Sequence, residues 1–181
     1  MGVARVLLIV IGAVLSILGT YVFGLFSAIG YPASGIGFFM NTIVGGNALF
    51  IFLFGSAPSF ISDPALYAGF AGIEVWLFWI LLIVFLIFCI AGILQLVGLK
   101  SRIVGVIFSL FPIGVGVMFL LLFYTDILGV ISGSFGLFFI GESIGGFLPI
   151  IVDIGDGIGL GAFFLLGGGT LGLVGSILPR E

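Results

Sequence analysis

Histidine is absent from this chain of 181 residues, cysteine occurs once, and only 6% of the residues carry charge. Without imidazole there is no ordinary zinc or copper site, no haem ligation by histidine and no common proton shuttle. A single thiol, Cys89, can form neither an intrachain disulfide nor an iron–sulfur site; inside an apolar run it reads as a small buried hydrophobe. Lysine and arginine together number 4, so a basic face for nucleic acid is missing and that partner is excluded. The string Gly141-Glu142-Ser143-Ile144-Gly145 has G-x-S-x-G spacing, but with no imidazole base it does not make a hydrolase. The expectation is a chain that is not an enzyme and takes no cofactor.

What is present is apolar. Hydrophobic residues make up 62% of the chain and the mean hydropathy is +1.58. A soluble domain of this size could not hide so much apolar surface, so lipid is its solvent. Runs of about 20 residues are needed to cross a hydrocarbon core of roughly 30 Å. Four such runs are expected as helices, at 3–27, 75–98, 103–125 and 158–178, within one membrane domain covering 1–181. In the first, Arg5 is followed by an apolar run that lacks a small-x-small cleavage site, so it is expected to remain as an anchor.

The cations set the orientation. With four spans, Arg5, Lys100, Arg102 and Arg180 all fall on one side, which the positive-inside rule makes the cytoplasm. Both termini are then cytoplasmic, in a multi-pass protein of the cell membrane. A path of six spans would split the cations evenly and lose that bias. The stretches 28–74 and 126–157 therefore read as two apolar, re-entrant or interfacial, extracytoplasmic segments, interrupted by Asn41, Thr42, Gly45, Gly46 and Asn47 in one and by Glu142, Gly145 and Gly146 in the other. Non-helical backbone cannot face lipid unsatisfied, so both segments need cover. A shift of 100 residues brings Phe38-Phe39 onto Phe138-Phe139 and Gly45-Gly46 onto Gly145-Gly146, the pattern of a twofold internal repeat.

The expected fold is thus an all-α integral membrane protein, a four-helix transmembrane bundle. Helices in lipid approach closely through small residues, and every span carries a stripe of them at steps of three and four: Gly12, Ser16 and Gly19; Ala91, Gln95 and Gly98; Gly105, Ser109, Pro112 and Gly116; Gly168, Gly172 and Gly175. Gln95 is the most polar group in a span and is expected to hydrogen-bond between helices. Large rings gather at the outer ends, which predicts a bundle tight inside and wider outside. Asp153 and Asp156, with Glu142, are the candidate oxygen ligands for a hard cation such as calcium. No ionisable residue falls in the middle of a span, which argues against a pump or voltage sensor.

Three functions fit these features. The first is a non-catalytic membrane subunit or scaffold that packs against other membrane proteins, or against itself, in a larger respiratory or cell-surface complex. The second is a small pore: helix, re-entrant segment, helix, repeated twice, resembles the layout of two-pore-domain potassium channels. Thr42-Ile43-Val44-Gly45-Gly46-Asn47 is similar to their T-x-G-Y-G filter, without the aromatic between the glycines. That resemblance implies a pore segment at Thr42, Gly45 and Gly46 and a second at Glu142, Gly145 and Gly146. The third is a tetraspan adhesion protein. The layout resembles the claudins, and Trp76-Leu77-Phe78-Trp79 has W-x-x-W spacing, but the paired outer cysteines of that family are absent.

Overall fold

The computed structural model describes residues 2–28, 30–125, 136, 138–141, 144 and 147–179. Helix dominates, and four helical stretches are long and apolar enough to cross a membrane: Val3–Val22, Val75–Leu99, Arg102–Tyr124 and Leu160–Ile177. Their lengths of 20, 25, 23 and 18 residues suit a hydrocarbon core of roughly 30 Å at a rise of about 1.5 Å per residue. Between the first two lie shorter helices at Gly35–Ile43, Ala48–Phe54 and Pro64–Ala71. In chain order the helices are α1 (Val3–Ile17), α2 (Gly35–Ile43), α3 (Ala48–Phe54), α4 (Pro64–Ala71), α5 (Val75–Leu94), α6 (Arg102–Tyr124) and α7 (Leu160–Ile177).

Two spans change pitch at one end. After α1 the turn Leu18–Val22 widens into a π-helix, where the Phe23 amide donates to the Leu18 carbonyl at 2.9 Å. Thr20 Oγ1 donates to the Ser16 carbonyl at 2.7 Å in the same turn. After α5 the chain tightens into a 3₁₀ turn over Gln95–Leu99. A short hairpin through Lys100 and Ser101 then starts α6. Such departures from α geometry tend to mark helix ends and functional or strained turns.

The first span is shorter than the expected 3–27, and the fold is not purely helical. Phe23 is extended, and β1 (Phe26–Ala28) pairs antiparallel with β2 (Tyr31–Ala33). β1 also pairs with β4 (Ile158–Gly159), which pairs with β3 (Asp153–Gly155), giving a sheet of order β2-β1-β4-β3. The fourth span consequently begins at Leu160 instead of residue 158. The cause lies in the glycines where α1 leaves and α7 enters: a methyl on Gly161 would stand 2.6 Å from the Phe23 carbonyl oxygen and 2.7 Å from that of Gly24. Backbones this close can bond to each other, and Gly161 N donates to Gly24 O at 3.0 Å. Pairing satisfies amides that the end of a helix would leave open.

α7 runs through the middle of the bundle with α1 on one side and α6 on the other. Arg5, near the start of α1, donates from Nη2 to the Gly98 carbonyl at 2.6 Å. The beginning of α1, the end of α5 and the beginning of α6 therefore share one end of the bundle, together with Arg5, Lys100 and Arg102. Asp63, Glu74, Asp153 and Asp156 lie at the other end, as the N-cap of α4, the N-cap of α5 and the β3–β4 hairpin.

At that acidic end the helices are held by rings. Phe139 meets Phe85, Phe88 and Phe119 at centroid distances of 4.9, 5.9 and 5.6 Å. Phe138 packs on Phe78 and Phe60 at 5.3 and 5.4 Å. Phe38 touches Phe85 and Phe139 at 6.1 and 5.6 Å. Rings from the outer segments thus fill the space between α5 and α6, mostly tilted or edge-on, the arrangements that aromatic quadrupoles favour.

Candidate functional site

Two regions collect the polar groups that a membrane protein can least easily bury. The first is the small-residue seam that runs along α7 from the basic end. A methyl on Gly12 would lie 2.6 Å from Gly172 N and 2.7 Å from Gly168 O, and one on Gly19 2.6 Å from Gly161 O. A methyl on Gly168 would meet Ser16 N at 2.6 Å, and one on Gly175 would meet Ile9 Cγ1 at 2.8 Å. On the other flank, Gly169 faces the Ser109 carbonyl, Gly116 faces Leu166, and Gly98 and Gly105 face each other with Ser176 between the helices. α1 and α6 can both approach α7 only because its two flanks are largely glycine.

Polar side chains enter this seam from all four spans. Ser16 Oγ donates to Gln95 Oε1 at 3.2 Å. Ser109 Oγ donates to the Gly105 carbonyl at 2.7 Å. Gly172 is where they converge: its missing methyl would touch Ser109 Oγ at 2.7 Å and Gln95 Nε2 at 3.2 Å. Ala91 is fully buried one turn away on α5. Gln95 Nε2 and Ser176 Oγ are buried with no hydrogen-bond partner among the described residues. Arg5, Gln95, Ser109 and Ser176 are each no more than 1% exposed. The chemistry of this knot is amide, hydroxyl and one guanidinium bonded to a carbonyl, which holds helices in register and offers no nucleophile–base pair.

The second region is the bent pair α2–α3, whose axes meet at 55°. Ser34 caps α2 by accepting from Gly37 N at 3.2 Å, and Asn47 caps α3 by accepting from Phe50 N at 3.2 Å. The break needs Gly45 and Gly46, at φ +87 and +91, a region that side chains with a Cβ avoid. Gly45 packs on the backbone of Ala57, Pro58 and Ser59. Asn41 and Asn47 both donate Nδ2 to the Ile140 carbonyl, at 2.6 and 3.2 Å, and tie this pair to the second outer segment. Thr42 Oγ1 donates to the Phe38 carbonyl at 2.7 Å. The side chains of the first filter-like string that can hydrogen-bond are therefore turned toward protein. Glu142, Gly145 and Gly146, the second such string, lie outside the described residues.

The acidic hairpin has a simple local logic. Asp156 and Gly157 are its loop, at φ +55 and +87, between the paired residues Gly155 and Ile158. Both central residues in the left-handed region is the geometry of an Asp-Gly type I′ turn. Asp153 Oδ1 accepts from Gly155 N at 2.8 Å and Gly157 N at 3.3 Å. Among the described residues no group of three or more potential ligands could hold a metal ion; Glu142, the third candidate, is not among them.

One groove opens on the side of the bundle. It lies between α5 and α6, holds about 350 Å³, and is lined by Leu81, Val84, Phe85, Leu110, Phe111, Gly114, Val115 and Met118. Sequence reasoning did not find it, because it arises from the divergence of two helices. Arg5, Gly161, Gly169 and Ser176 also escaped it as packing residues, although Gly161, Gly168 and Gly175 repeat at steps of seven. No protein-family model, curated protein or solved structure matches this chain.

Proposed function

We propose that this protein is a non-catalytic, multi-pass membrane subunit or scaffold that acts by contact with other membrane proteins, with both termini and the Lys100–Arg102 hairpin on the cytoplasmic side. The observation that carries this reading is the direction in which its groups point. Polar side chains of the spans are engaged inside the bundle, with Ser16 on Gln95, Thr20 and Ser109 on helix carbonyls and Arg5 on Gly98. The outer segment, by contrast, turns large apolar side chains outward: Ile43, Val44, Phe52 and Phe54 are 68, 69, 70 and 55% exposed. Outside a span, an apolar surface of this kind marks an interaction site. The 7-residue α3 that carries Phe52 and Phe54 is too short to cross a bilayer by itself; α2 and α3 together are apolar enough for a bent crossing or a re-entrant loop, and the 55° bend between them supports the re-entrant reading.

The test is purification from native membranes in a mild detergent, followed by sizing and cross-linking through photoreactive groups at positions 52 and 54. A stoichiometric assembly with other membrane polypeptides or with copies of this chain, cross-linked at those positions, is the expected result. A monodisperse, stable monomer with cross-links only to lipid would reject the proposal.

A further inference from the structure

We infer that the groove between α5 and α6 takes the end of a tail of one anionic membrane lipid, the tail running along α6 into the groove as far as Gly114 and the phosphate lying at the Lys100–Arg102 hairpin. This does not depend on the subunit reading.

The groove runs along α6 from Leu110 to Met118, which at about 1.5 Å per residue is roughly 12 Å. Its lining is apolar throughout and open to the side, which suits a hydrocarbon chain. The floor is open as well: a side chain added at Gly114 would meet nothing within 4 Å.

The headgroup end follows from charge and continuity. α5 and α6 are joined at the hairpin, where Lys100, Ser101, Arg102 and Ile103 line a second, open cleft. Ile103, Ile107, Leu110, Gly114 and Val117 are all exposed, and their steps of four and three place them on one face of α6. That face leads from the cationic cleft into the groove without a polar interruption. Arg102 to Gly114 is about 18 Å along the helix, whereas the tails of one leaflet occupy about 15 Å. A lipid with its phosphate beside Lys100 and Arg102 therefore brings a chain end to Gly114. Each cation near the surface adds about 1 kcal/mol of attraction for an anionic headgroup.

The experiment is native mass spectrometry of the full chain in detergent, titrated with dioleoylphosphatidylglycerol or dioleoylphosphatidylcholine. The expected result is saturation at one phosphatidylglycerol, with a preference over phosphatidylcholine of about tenfold or more. Gly114→Trp should weaken both lipids by about tenfold, while Ile83→Trp, exposed elsewhere on α5, should not. Lys100→Gln with Arg102→Gln should erase the headgroup preference and leave the chain-dependent part. Gly114→Leu serves as a milder block, read in the same titration, if the tryptophan variant does not fold. Adsorption that never saturates at one, equal affinity for the two lipids, or indifference to both Gly114 variants would overturn the inference. A polypeptide cross-linked at position 114 would replace the lipid with a protein partner and overturn it too.

Discussion

Replacing Gly12 by alanine should push α1 off α7. The new methyl would stand 2.6 Å from Gly172 N, 2.7 Å from Gly168 O and 3.0 Å from Gly172 Cα, all of them backbone atoms that cannot rotate aside. Ordinary carbon contacts lie near 3.5–4.0 Å, so the two helices must separate by about 1 Å. Overpacking of this kind costs roughly 1–3 kcal/mol. Alanine returns about 1 kcal/mol through its better helix propensity, leaving a net loss of about 0–2 kcal/mol. Gly167→Ala is the internal control: it lies on the same helix as Gly168, yet nothing stands within 4 Å of its would-be methyl. That variant should gain up to about 1 kcal/mol. Reversible unfolding in mixed micelles, followed by the fluorescence of Trp76 and Trp79, measures both. If the two variants agreed within about 0.5 kcal/mol, the size of an ordinary surface substitution, close backbone approach would not be what holds this bundle.

The polar knot makes a second prediction. Gln95→Leu removes one interhelical bond, worth about 0.6 kcal/mol in a membrane, together with an amide nitrogen unpartnered among the described residues, so it should change stability by less than about 1 kcal/mol. Gln95→Glu should cost several-fold more at neutral pH, because an ionised carboxylate would be buried. Asn41→Ala removes the shorter of the two bonds to the Ile140 carbonyl and should cost about 1 kcal/mol, read as faster hydrogen exchange in α2 and α3 with α7 unchanged. The Tyr67 hydroxyl, which donates to the Pro58 carbonyl at 2.6 Å, is pushed up from 10.0 to about 12 by burial and then by the Asp63 carboxylate. Its contribution is complete below pH 10.0 and is lost as the pH rises through about 12. Alkaline titration of the outer segment should show that loss, and Tyr67→Phe should remove it. Calcium and chelators should leave thermal stability unchanged, since Asp153 is already satisfied by Gly155 N and Gly157 N.

The spans were legible in the sequence because lipid imposes a length and a composition on every crossing: Val75–Leu99 and Arg102–Tyr124 could hardly be anything else. The glycine stripes were legible because helical periodicity places Gly12, Ser16 and Gly19 on one face regardless of what that face meets. Their partners were not. That Gly12 meets Gly168 and Gly172, or that Gly172 sits over Gln95 and Ser109, depends on how α7 is placed, and spacing along a chain carries no such information. Arg5 was legible as a charge that sets orientation, but its burial against the Gly98 carbonyl comes from the α5 terminus nearly a hundred residues away. The sheet was hidden because its strands are three residues or fewer and show no alternation long enough to detect. Asp156-Gly157 did carry a signal. Asp-Gly between short apolar stretches indicates a hairpin turn, and its carboxylates read more readily as cation ligands. Asn47 likewise looked like an interruption of an apolar run, whereas it is the cap that starts α3.

The whole account rests on an even number of crossings that leaves the Lys100–Arg102 hairpin opposite the acidic end. Its most direct test is labelling of single cysteines with a membrane-impermeant maleimide in intact cells, at position 101 and at position 156, in a Cys89→Ala background. Label at 156 from outside, and at 101 only after the membrane is opened, is the predicted result. Label reaching both positions from the same side would contradict it.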